Sequence, residues 1–189
     1  MFVTLEGADG CGKTTLCAIL AERLGATSYS TPPKKYLKMR ERMDKCASAV
    51  EHYQFYRDGI YCASDELSTM LKNGGIVVSD RYWLTTYTYH QVMGVAVSRD
   101  DFTSVVQPDL TVILALNHDV QIERILHRGM SVGDCRVFDK QREIASAFHQ
   151  NALELGIPFI VVDTQRFSPS RCADIVVAAV GSWTVEQGE

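Results

Sequence analysis

The sequence predicts an α/β protein built on a doubly wound, parallel, five-stranded sheet flanked by helices. Three observations lead to this fold class. Five apolar segments read as strands, the stretches between them have helical spacing, and a glycine-rich loop joins the first strand to the first helix. The apolar runs are continuous rather than alternating, which is typical of strands buried on both faces of a parallel sheet.

Strands and helices alternate along the chain. The predicted strands are Phe2 to Glu6, Ala26 to Ser30, Gly75 to Ser79, Leu110 to Leu116 and Pro158 to Asp163. A glycine after an apolar turn commonly ends a helix. On that basis helices are predicted to end before Gly25, to cover Val120 to Arg128 and Asp139 to Leu155, and to close the chain with Ser168 to Val180.

The residues from Gly7 to Thr14, GADGCGKT, match the phosphate-binding pattern G-x-x-x-x-G-K-[ST] at every fixed position. Glycines let successive backbone N–H groups curl around phosphate oxygens, and the following helix N-terminus adds a partial positive charge. We expect Lys13 to reach the terminal phosphates and Thr14 to place its hydroxyl on Mg²⁺. The motif predicts a P-loop NTPase fold whose nucleotide-binding residues are Gly7, Ala8, Asp9, Gly10, Cys11, Gly12, Lys13, Thr14 and Thr15.

Length and composition restrict the function further. A chain of 189 residues, 46% hydrophobic and 22% charged, suits one domain over residues 1–189. The net charge of −4 gives no basic field for nucleic acid or anionic membranes, so small-molecule ligands fit better. The chain begins directly in a strand and has no apolar run of about 20 residues, which predicts a cytoplasmic protein without a membrane span. The six cysteines have no C-x-x-C spacing, so no zinc site or disulfide framework is indicated.

A second motif, Asp80-Arg81-Tyr82, stands at the end of the third predicted strand. Ligands of open α/β sheets bind beyond the carboxyl ends of the strands, where this motif and the glycine loop both fall. We expect Asp80 to hold Mg²⁺ through water and Arg81 to grip a phosphate as a fork. An isolated Asp–Arg pair is more often a surface ion pair, but its place beside the loop favours a functional role.

Two segments interrupt the alternation of strands and helices. Thr31 to Lys45 carries six basic side chains against two acidic ones, which is typical either of a solvated helix face or of a surface near a phosphorylated substrate. Arg128 to Phe138 is a glycine-containing stretch between two helices and suits a mobile lid.

These motifs make the chain similar to the thymidylate-kinase-like family of nucleoside monophosphate kinases. The resemblance spans nearly the whole chain, from FVTLEGADGCGKTT through VVSDRYWLTTYTYHQ and PDLTVILALNHDVQIERILHRG to the short lid. The family's E-G-x-D-G-x-G-K-T-T run is matched from Glu6 to Thr15 and is more specific than a bare P-loop. The resemblance implies Mg²⁺-assisted transfer of the γ-phosphoryl group of ATP to a pyrimidine nucleoside monophosphate, with dTMP the leading candidate, and suggests a homodimer.

The resemblance also implies roles for single residues. Asp9 matches the carboxylate that faces the sugar of the acceptor nucleotide, and Arg81 matches the arginine that holds the acceptor phosphate. Phe55 aligns with the aromatic residue that stacks on the base, although an ordinary core phenylalanine reads the same way. Tyr82 and Tyr89 are expected to line the same pocket.

A lid arginine is expected in catalysis. Some members have an arginine in the P-loop where this chain has Gly10, so the arginine for the transition state is expected from Arg128 or Arg136. The predicted catalytic residues are then Lys13, Asp80, Arg81, Arg128 and Arg136, and the predicted metal ligands are Thr14 and Asp80.

Two departures from the family pattern affect the substrate. Ser30-Thr31-Pro32-Pro33 replaces an R-E-P-G-type run, so a phosphate-binding arginine is missing and Lys34, Lys35 or Arg40 are its candidate substitutes. Gly59 stands where thymidylate kinases place a base-contacting arginine, and Arg57, two residues away, is a candidate substrate-binding residue. These features resemble the UMP/CMP-kinase branch, which keeps UMP, CMP and dCMP as alternative acceptors.

Two other functions stay open at this point. A nucleoside kinase acts on a hydroxyl and generally needs a carboxylate base, which Ser30 to Pro33 does not offer, although Asp9 or Asp80 could serve. A nucleotide-binding switch would typically show a guanine-reading motif, and the sequence has none that we recognise.

Overall fold

The computed structural model describes residues 1–186, and its five strands form one parallel sheet in the order β2-β3-β1-β4-β5. The strands are β1 (Phe2–Glu6), β2 (Thr27–Ser30), β3 (Val77–Asp80), β4 (Leu110–Ala115) and β5 (Phe159–Asp163). The chain starts in the centre of the sheet, winds to one edge and then returns to build the other, so a crevice opens beyond the carboxyl ends of β1, β3 and β4. The predicted α/β fold with five parallel strands is confirmed.

Eight α-helices surround the sheet in the described part of the chain. They are α1 (Lys13–Leu24), α2 (Leu37–Cys46), α3 (Ala49–Lys72), α4 (Trp83–Val92), α5 (His118–Arg128), α6 (Val132–Arg136), α7 (Gln141–Glu154) and α8 (Pro169–Glu186). The long helix α3 begins with a capping box, in which the Ser48 hydroxyl accepts from Glu51 N–H and the Glu51 carboxylate accepts from Ser48 N–H. The short helix α6 begins in the same way at Ser131 and Asp134.

Two cores lie on opposite faces of the sheet. On one face α3, α4 and α7 pack over residues such as Phe2, Val77 and Ile113, and on the other α1 and α8 pack over Val3 and Leu5. Neighbouring residues of β1 therefore serve different cores, which explains why this strand is a continuous apolar run. Among residues 1–186 no helix is long and apolar enough to cross a bilayer.

Element boundaries differ from the sequence prediction at a few ends. β3 begins at Val77 and includes Asp80, because Val77 to Asp80 pair with β1 while the Gly75 carbonyl accepts from the chain's N-terminus. Helix α5 begins at His118, since the side chain of Asn117 accepts from Asp119 N–H and caps it. The segment expected to be a lid, 128–138, contains α6 and packs against α2.

Candidate active site

The P-loop connects β1 to α1 and owes its shape to its glycines. Gly7 has φ +137, and a Cβ added there would stand 2.7 Å from the Leu114 carbonyl oxygen of β4. Only glycine permits this close approach of the loop to the neighbouring strand. Gly12, with φ 93, takes the left-handed conformation at the start of α1, so the loop can turn its N–H groups inward.

Lys13 is 5% exposed, and its ammonium group lies within the loop. Its Nζ atom donates to the carbonyl oxygens of Gly7 at 2.9 Å and Ala8 at 2.6 Å, and it lies 3.3 Å from the Cys11 sulfur. These contacts fix the charge where the motif places a nucleotide's phosphates. Cys11 is fully buried under the loop.

Thr14 and Asp80 meet at the carboxyl edge of the sheet. The Thr14 hydroxyl donates to Asp80 Oδ2 at 2.6 Å, because the pairing of Leu5 with Asp80 brings the end of β3 level with the start of the P-loop. A hydroxyl and a carboxylate are hard oxygen donors of the kind that Mg²⁺ prefers beside substrate phosphates. The pair therefore fits the magnesium ion that the sequence predicted.

Arg81 has a backbone conformation that the sequence does not reveal. Its φ of 71 lies in the left-handed region, which a side chain other than glycine rarely adopts, while its N–H donates to the Leu5 carbonyl at 3.0 Å. This turn directs the guanidinium onto the P-loop, where it forms an ion pair with Asp9 and donates to the Gly7 carbonyl at 3.3 Å. It also lies 5.4 Å from the centre of the Tyr89 ring.

The Asp9 carboxylate in the P-loop has three hydrogen-bond donors. It accepts from Arg81, from the Tyr89 hydroxyl at 2.7 Å and from Gln141 Nε2 at 3.3 Å. Burial alone would raise its pKa, but the charges of Arg81 and Lys13 and the hydrogen bonds outweigh burial and lower the pKa below its usual range. Asp9 is therefore an ionised, fixed acceptor.

Two buried glutamines that the sequence analysis missed support Asp9. Gln121 Nε2 donates to the Asp9 backbone oxygen at 2.9 Å and to Gln141 Oε1 at 2.7 Å. Both glutamines are fully buried, one on α5 and the other at the start of α7. The available signal was that Gln141 occupies the inward row of α7 with Ile144 and Phe148.

Glu6 ends β1 directly before the P-loop and is buried. Its carboxylate accepts from the Thr85 hydroxyl, and Thr85 also lies 3.5 Å from Arg81. Burial raises the pKa of Glu6 from 4.5 to about 7, against the lowering effects of Thr85, Arg81 and Lys13. Glu6 is thus a titratable group under the wall that both clefts of the site share.

Two adjoining clefts open on these residues. The first, named here the phosphate groove, is lined by Gly10, Gly12, Lys13, Thr14, Thr15, Asp80, Leu37, Arg124 and Arg128 among others. The second, the inner pocket, lies between α2, α3, α4 and the lid and is lined by Asp44, His52, Tyr56, Tyr89, His90 and Arg136 among others. Asp9, Arg40 and Arg81 line both clefts. A group held in the inner pocket would therefore face the phosphates held in the groove.

The lid arginines have separate positions. Arg128 lines the phosphate groove and donates to the buried carboxylate of Asp134 at 2.7 Å. Arg136 lines the inner pocket and donates to the backbone oxygens of Asp44 at 3.1 Å and Ala47 at 2.7 Å. The structure thus brings only Arg128 of the two beside the P-loop.

Two more arginines complete the groove. Arg124, which the sequence analysis missed, lies one turn before Arg128 on the same face of α5 and donates to the Thr164 carbonyl at 3.0 Å. Of the three candidate substitutes for the missing family arginine, only Arg40 lines the groove, while Lys34 and Lys35 line a different cleft beside β2.

Three residues predicted to bind the acceptor, Tyr82, Phe55 and Arg57, are not among the residues that line the inner pocket. Tyr82 is fully buried and packs edge-on against Phe2 with ring centres 5.1 Å apart, because its side chain turns into the core after the left-handed Arg81. Phe55 is buried with its ring against Tyr36 and Tyr56. Arg57 pairs with the carboxylates of Asp58 and Asp101 instead.

Gly59 of α3 lies against the loop that follows β2. A Cβ at Gly59 would stand 3.2 Å from Pro32 Cβ, so the loop packs directly on this glycine. A larger side chain at this position would need Pro32 to shift.

A P-loop with its lysine, a hydroxyl–carboxylate pair and converging arginines, joined to a second pocket by shared residues, defines a P-loop phosphotransferase of the nucleoside monophosphate kinase class. The model of the family described as thymidylate kinase matches residues 5–168, and the chain belongs to this family. The resemblance seen in the sequence is confirmed.

The chain is similar to curated relatives over most of its length and to solved structures in its fold. A probable thymidylate kinase of Archaeoglobus fulgidus is 27% identical over 176 residues, 88% of each chain. One of Methanococcus maripaludis is 31% identical over 180 residues, 86% of each chain. A solved deoxyadenosine kinase from M. mycoides, with dCMP and dCDP bound, has a TM-score of 0.70 at 18% identity and covers 96% of this chain and 100% of its own, so it shows the shared fold alone.

Proposed function

We propose that this protein transfers the γ-phosphoryl group of ATP to dTMP, forming dTDP and ADP with the help of Mg²⁺. The observation that carries the proposal is that Asp9 and Arg81 line both the phosphate groove and the inner pocket. ATP binds with its phosphates in the groove, and the monophosphate binds with its base and sugar in the inner pocket. Membership of the thymidylate kinase family supports dTMP as the acceptor.

The acceptor brings its own nucleophile. The second pKa of a phosphate monoester is about 6, so an oxygen of the acceptor phosphate is already ionised at neutral pH and needs no general base. It attacks the γ-phosphorus of ATP, the bond to the β–γ bridging oxygen breaks, and ADP leaves with the electron pair. Catalysis then reduces to alignment and charge neutralisation.

Named residues of the groove provide both effects. Lys13 faces the terminal phosphates of ATP, Arg81 holds the acceptor phosphate, and Arg128 neutralises the charge that develops on the transferred group. Thr14 and Asp80 would hold Mg²⁺, which masks phosphate charge when bound. Arg40 supplies the second cation for the acceptor phosphate, since it reaches both clefts.

The roles on the acceptor side follow from the inner pocket. Asp9, fixed as a carboxylate, is positioned to accept a hydrogen bond from the sugar, and Tyr89 closes the same wall. Arg136 reaches the pocket from the lid. UMP and CMP are alternative acceptors, because this chain has Gly59, packed against Pro32, where thymidylate kinases have a base-contacting arginine.

Measuring ADP formation with ATP, Mg²⁺ and each of dTMP, dUMP, UMP, CMP and dCMP tests the proposal. We expect the highest kcat/KM with dTMP. Arg81→Ala should lower the rate with every acceptor by about a hundredfold or more, whereas the exposed Arg99→Ala should leave it unchanged. A preference for UMP or CMP would contradict dTMP as the acceptor but support the proposed reaction. ADP formation at the same rate with and without a monophosphate would refute both the acceptor and the reaction.

A cytoplasmic location and a homodimer remain predictions. Sedimentation of the purified protein checks the homodimer directly, and a monomer across the concentration range of the assay would refute it.

A further inference from the structure

One wall of the inner pocket contains a continuous chain of hydrogen bonds between three helices. His52 Nε2 on α3 lies 3.0 Å from Asp44 Oδ1 on α2, and His52 Nδ1 lies 2.7 Å from His90 Nε2 on α4. His90 Nδ1 lies 2.6 Å from the backbone oxygen of Thr86. Asp44, His52, Thr86 and His90 all line the pocket.

This chain of hydrogen bonds, from Thr86 through His90 and His52 to Asp44, requires one more proton than two neutral imidazoles carry. It begins at the Thr86 carbonyl and ends at the Asp44 carboxylate, and both ends can only accept. Each of the three contacts needs a hydrogen, so the two rings together must carry three N–H protons. Two neutral imidazoles carry two, and one ring is therefore an imidazolium.

The surroundings place the extra proton on His52. Asp44 also accepts from the Tyr56 hydroxyl at 2.8 Å and from Arg40 Nε at 3.3 Å, which hold it as a carboxylate. Burial lowers the pKa of His90 to about 3, although its bond to the Thr86 carbonyl acts in the other direction, so this ring is neutral. His52 is the ring next to the carboxylate, where a positive charge is balanced.

We propose that Asp44, His52 and His90 are positioning residues of the acceptor pocket, which hold α2, α3 and α4 together through one stored proton, so that acceptor binding weakens when the proton is lost. The acceptor is the nucleoside monophosphate of the proposed function, on which this inference rests. The residues of this hydrogen-bond chain line the inner pocket and not the phosphate groove, so loss of the proton weakens binding of the acceptor and not of ATP.

The loss of the proton has a defined cost. When it leaves to solvent, one contact of the chain becomes a meeting of two lone pairs, either between the two rings or between His52 and Asp44. Helix α2 is then held less firmly against α3, and Arg136 of the lid is bound to the backbone of the same helix. The wall and the lid loosen together.

Two arginines and two tyrosines also face this hydrogen-bond chain, and none of them changes its charge near neutral pH. They are Arg40 from α2, Tyr53 and Tyr56 from α3, and Arg136 from α6. Burial raises the pKa of both tyrosines further above their ordinary value, so they stay neutral. Glu6 has a pKa of about 7 and contacts Thr85 in the pocket wall, so it also titrates in this range, but equally in any two proteins that both contain it. Between about pH 6 and about pH 8.5, where imidazolium groups lose their proton, only the difference between proteins that differ in the hydrogen-bond chain is therefore assigned to that chain.

Asp44→Asn is the matched test. The new amide can donate one hydrogen to His52 Nε2 and the other to the Tyr56 oxygen, so the chain is complete with two neutral rings and stores no proton. Between about pH 6 and about pH 8.5, the KM for dTMP should rise about three- to tenfold more in the unchanged protein than in Asp44→Asn. The KM for ATP should depend on pH in the same way in both proteins. Ionisation of the acceptor phosphate affects both proteins equally and cancels. The exposed Asp65→Asn on α3 has the same change of charge and should keep the original profile.

Nitrogen NMR of the histidine rings tests the proton itself without any substrate. The expected spectrum at about pH 6, the acid end of this range, has His52 protonated on both nitrogens and His90 on Nδ1 alone, and in Asp44→Asn both rings are neutral. Two neutral rings in the unchanged protein, or parallel dTMP profiles with and without Asp44, would overturn the inference. If no monophosphate is a substrate, the proposed function fails while the NMR result still decides the proton chain.

Discussion

The phosphate groove and the inner pocket differ in how the chain builds them. The P-loop, whose glycines, lysine and threonine follow one spacing rule, forms one side of the groove, and residues of other elements, among them Asp80, Arg40 and Arg124, line the rest. The inner pocket is formed by side chains of α2, α3, α4 and the lid, which are far apart in the sequence. A motif of fixed spacing therefore defines the donor side, whereas the acceptor side depends on tertiary packing that no local spacing describes.

If this contrast is correct, a change in the groove should affect every acceptor equally. Lys13→Ala should lower kcat by about 10²- to 10³-fold with each monophosphate, because one preorganised cation is lost from the phosphates in the transition state. Steady-state kinetics with dTMP and UMP would measure it. Lys34→Ala, in a different cleft beside β2, is the control. A loss that depended on the acceptor would break the division between the clefts.

Glu6 lies under the wall that both clefts share, and its substitution should change how stability depends on pH. Because its pKa is raised to about 7 in the folded protein, folding takes up a proton, and stability falls as the pH rises from 4.5 to about 7. Glu6→Gln should remove up to about 3 kcal/mol of this loss. Urea unfolding at both ends of that range would show it as a smaller difference in the variant. An equal difference in both proteins would contradict the assignment.

The two lid arginines divide between the clefts and should separate kinetically. Arg128→Ala should lower kcat about tenfold or more with little change in acceptor KM, since it removes a charge from the groove. Arg136→Ala should raise the acceptor KM about three- to tenfold with a smaller effect on kcat, since it frees the lid from α2. Initial rates measured over a range of concentrations of both substrates give kcat and the acceptor KM of each variant. The reverse pattern would show that the lid closes differently.

The glutamines behind Asp9 should have the smallest effect. Gln141→Ala removes one of three donors to the Asp9 carboxylate and leaves Arg81 and Tyr89 in place. We expect an acceptor KM about two- to threefold higher, within the range for a single neutral hydrogen bond. The exposed Gln150→Ala on the same helix is the matched control. A kcat loss as large as that of Lys13→Ala would mean that Asp9 acts in the chemical step.

The sequence was sufficient for the sheet, the P-loop and Asp80-Arg81, because apolar runs and motif spacing are local properties. It was insufficient where long-range packing decides. Tyr82 was expected to line the pocket, but after the left-handed residue Arg81 its ring lies in the core against Phe2. The chain from Asp44 to His90 joins residues of three helices, and nothing in their spacing indicated that they meet.

The central claim is that the inner pocket presents a phosphate, and not a hydroxyl, to ATP. Comparing dTMP with thymidine as acceptors, by separating the nucleotide products after incubation with ATP and Mg²⁺, tests it most directly. The account predicts dTDP from dTMP and no dTMP from thymidine. Phosphorylation of thymidine at a rate comparable to that of dTMP would contradict the claim. ADP release without any acceptor at the rate seen with dTMP would also contradict it.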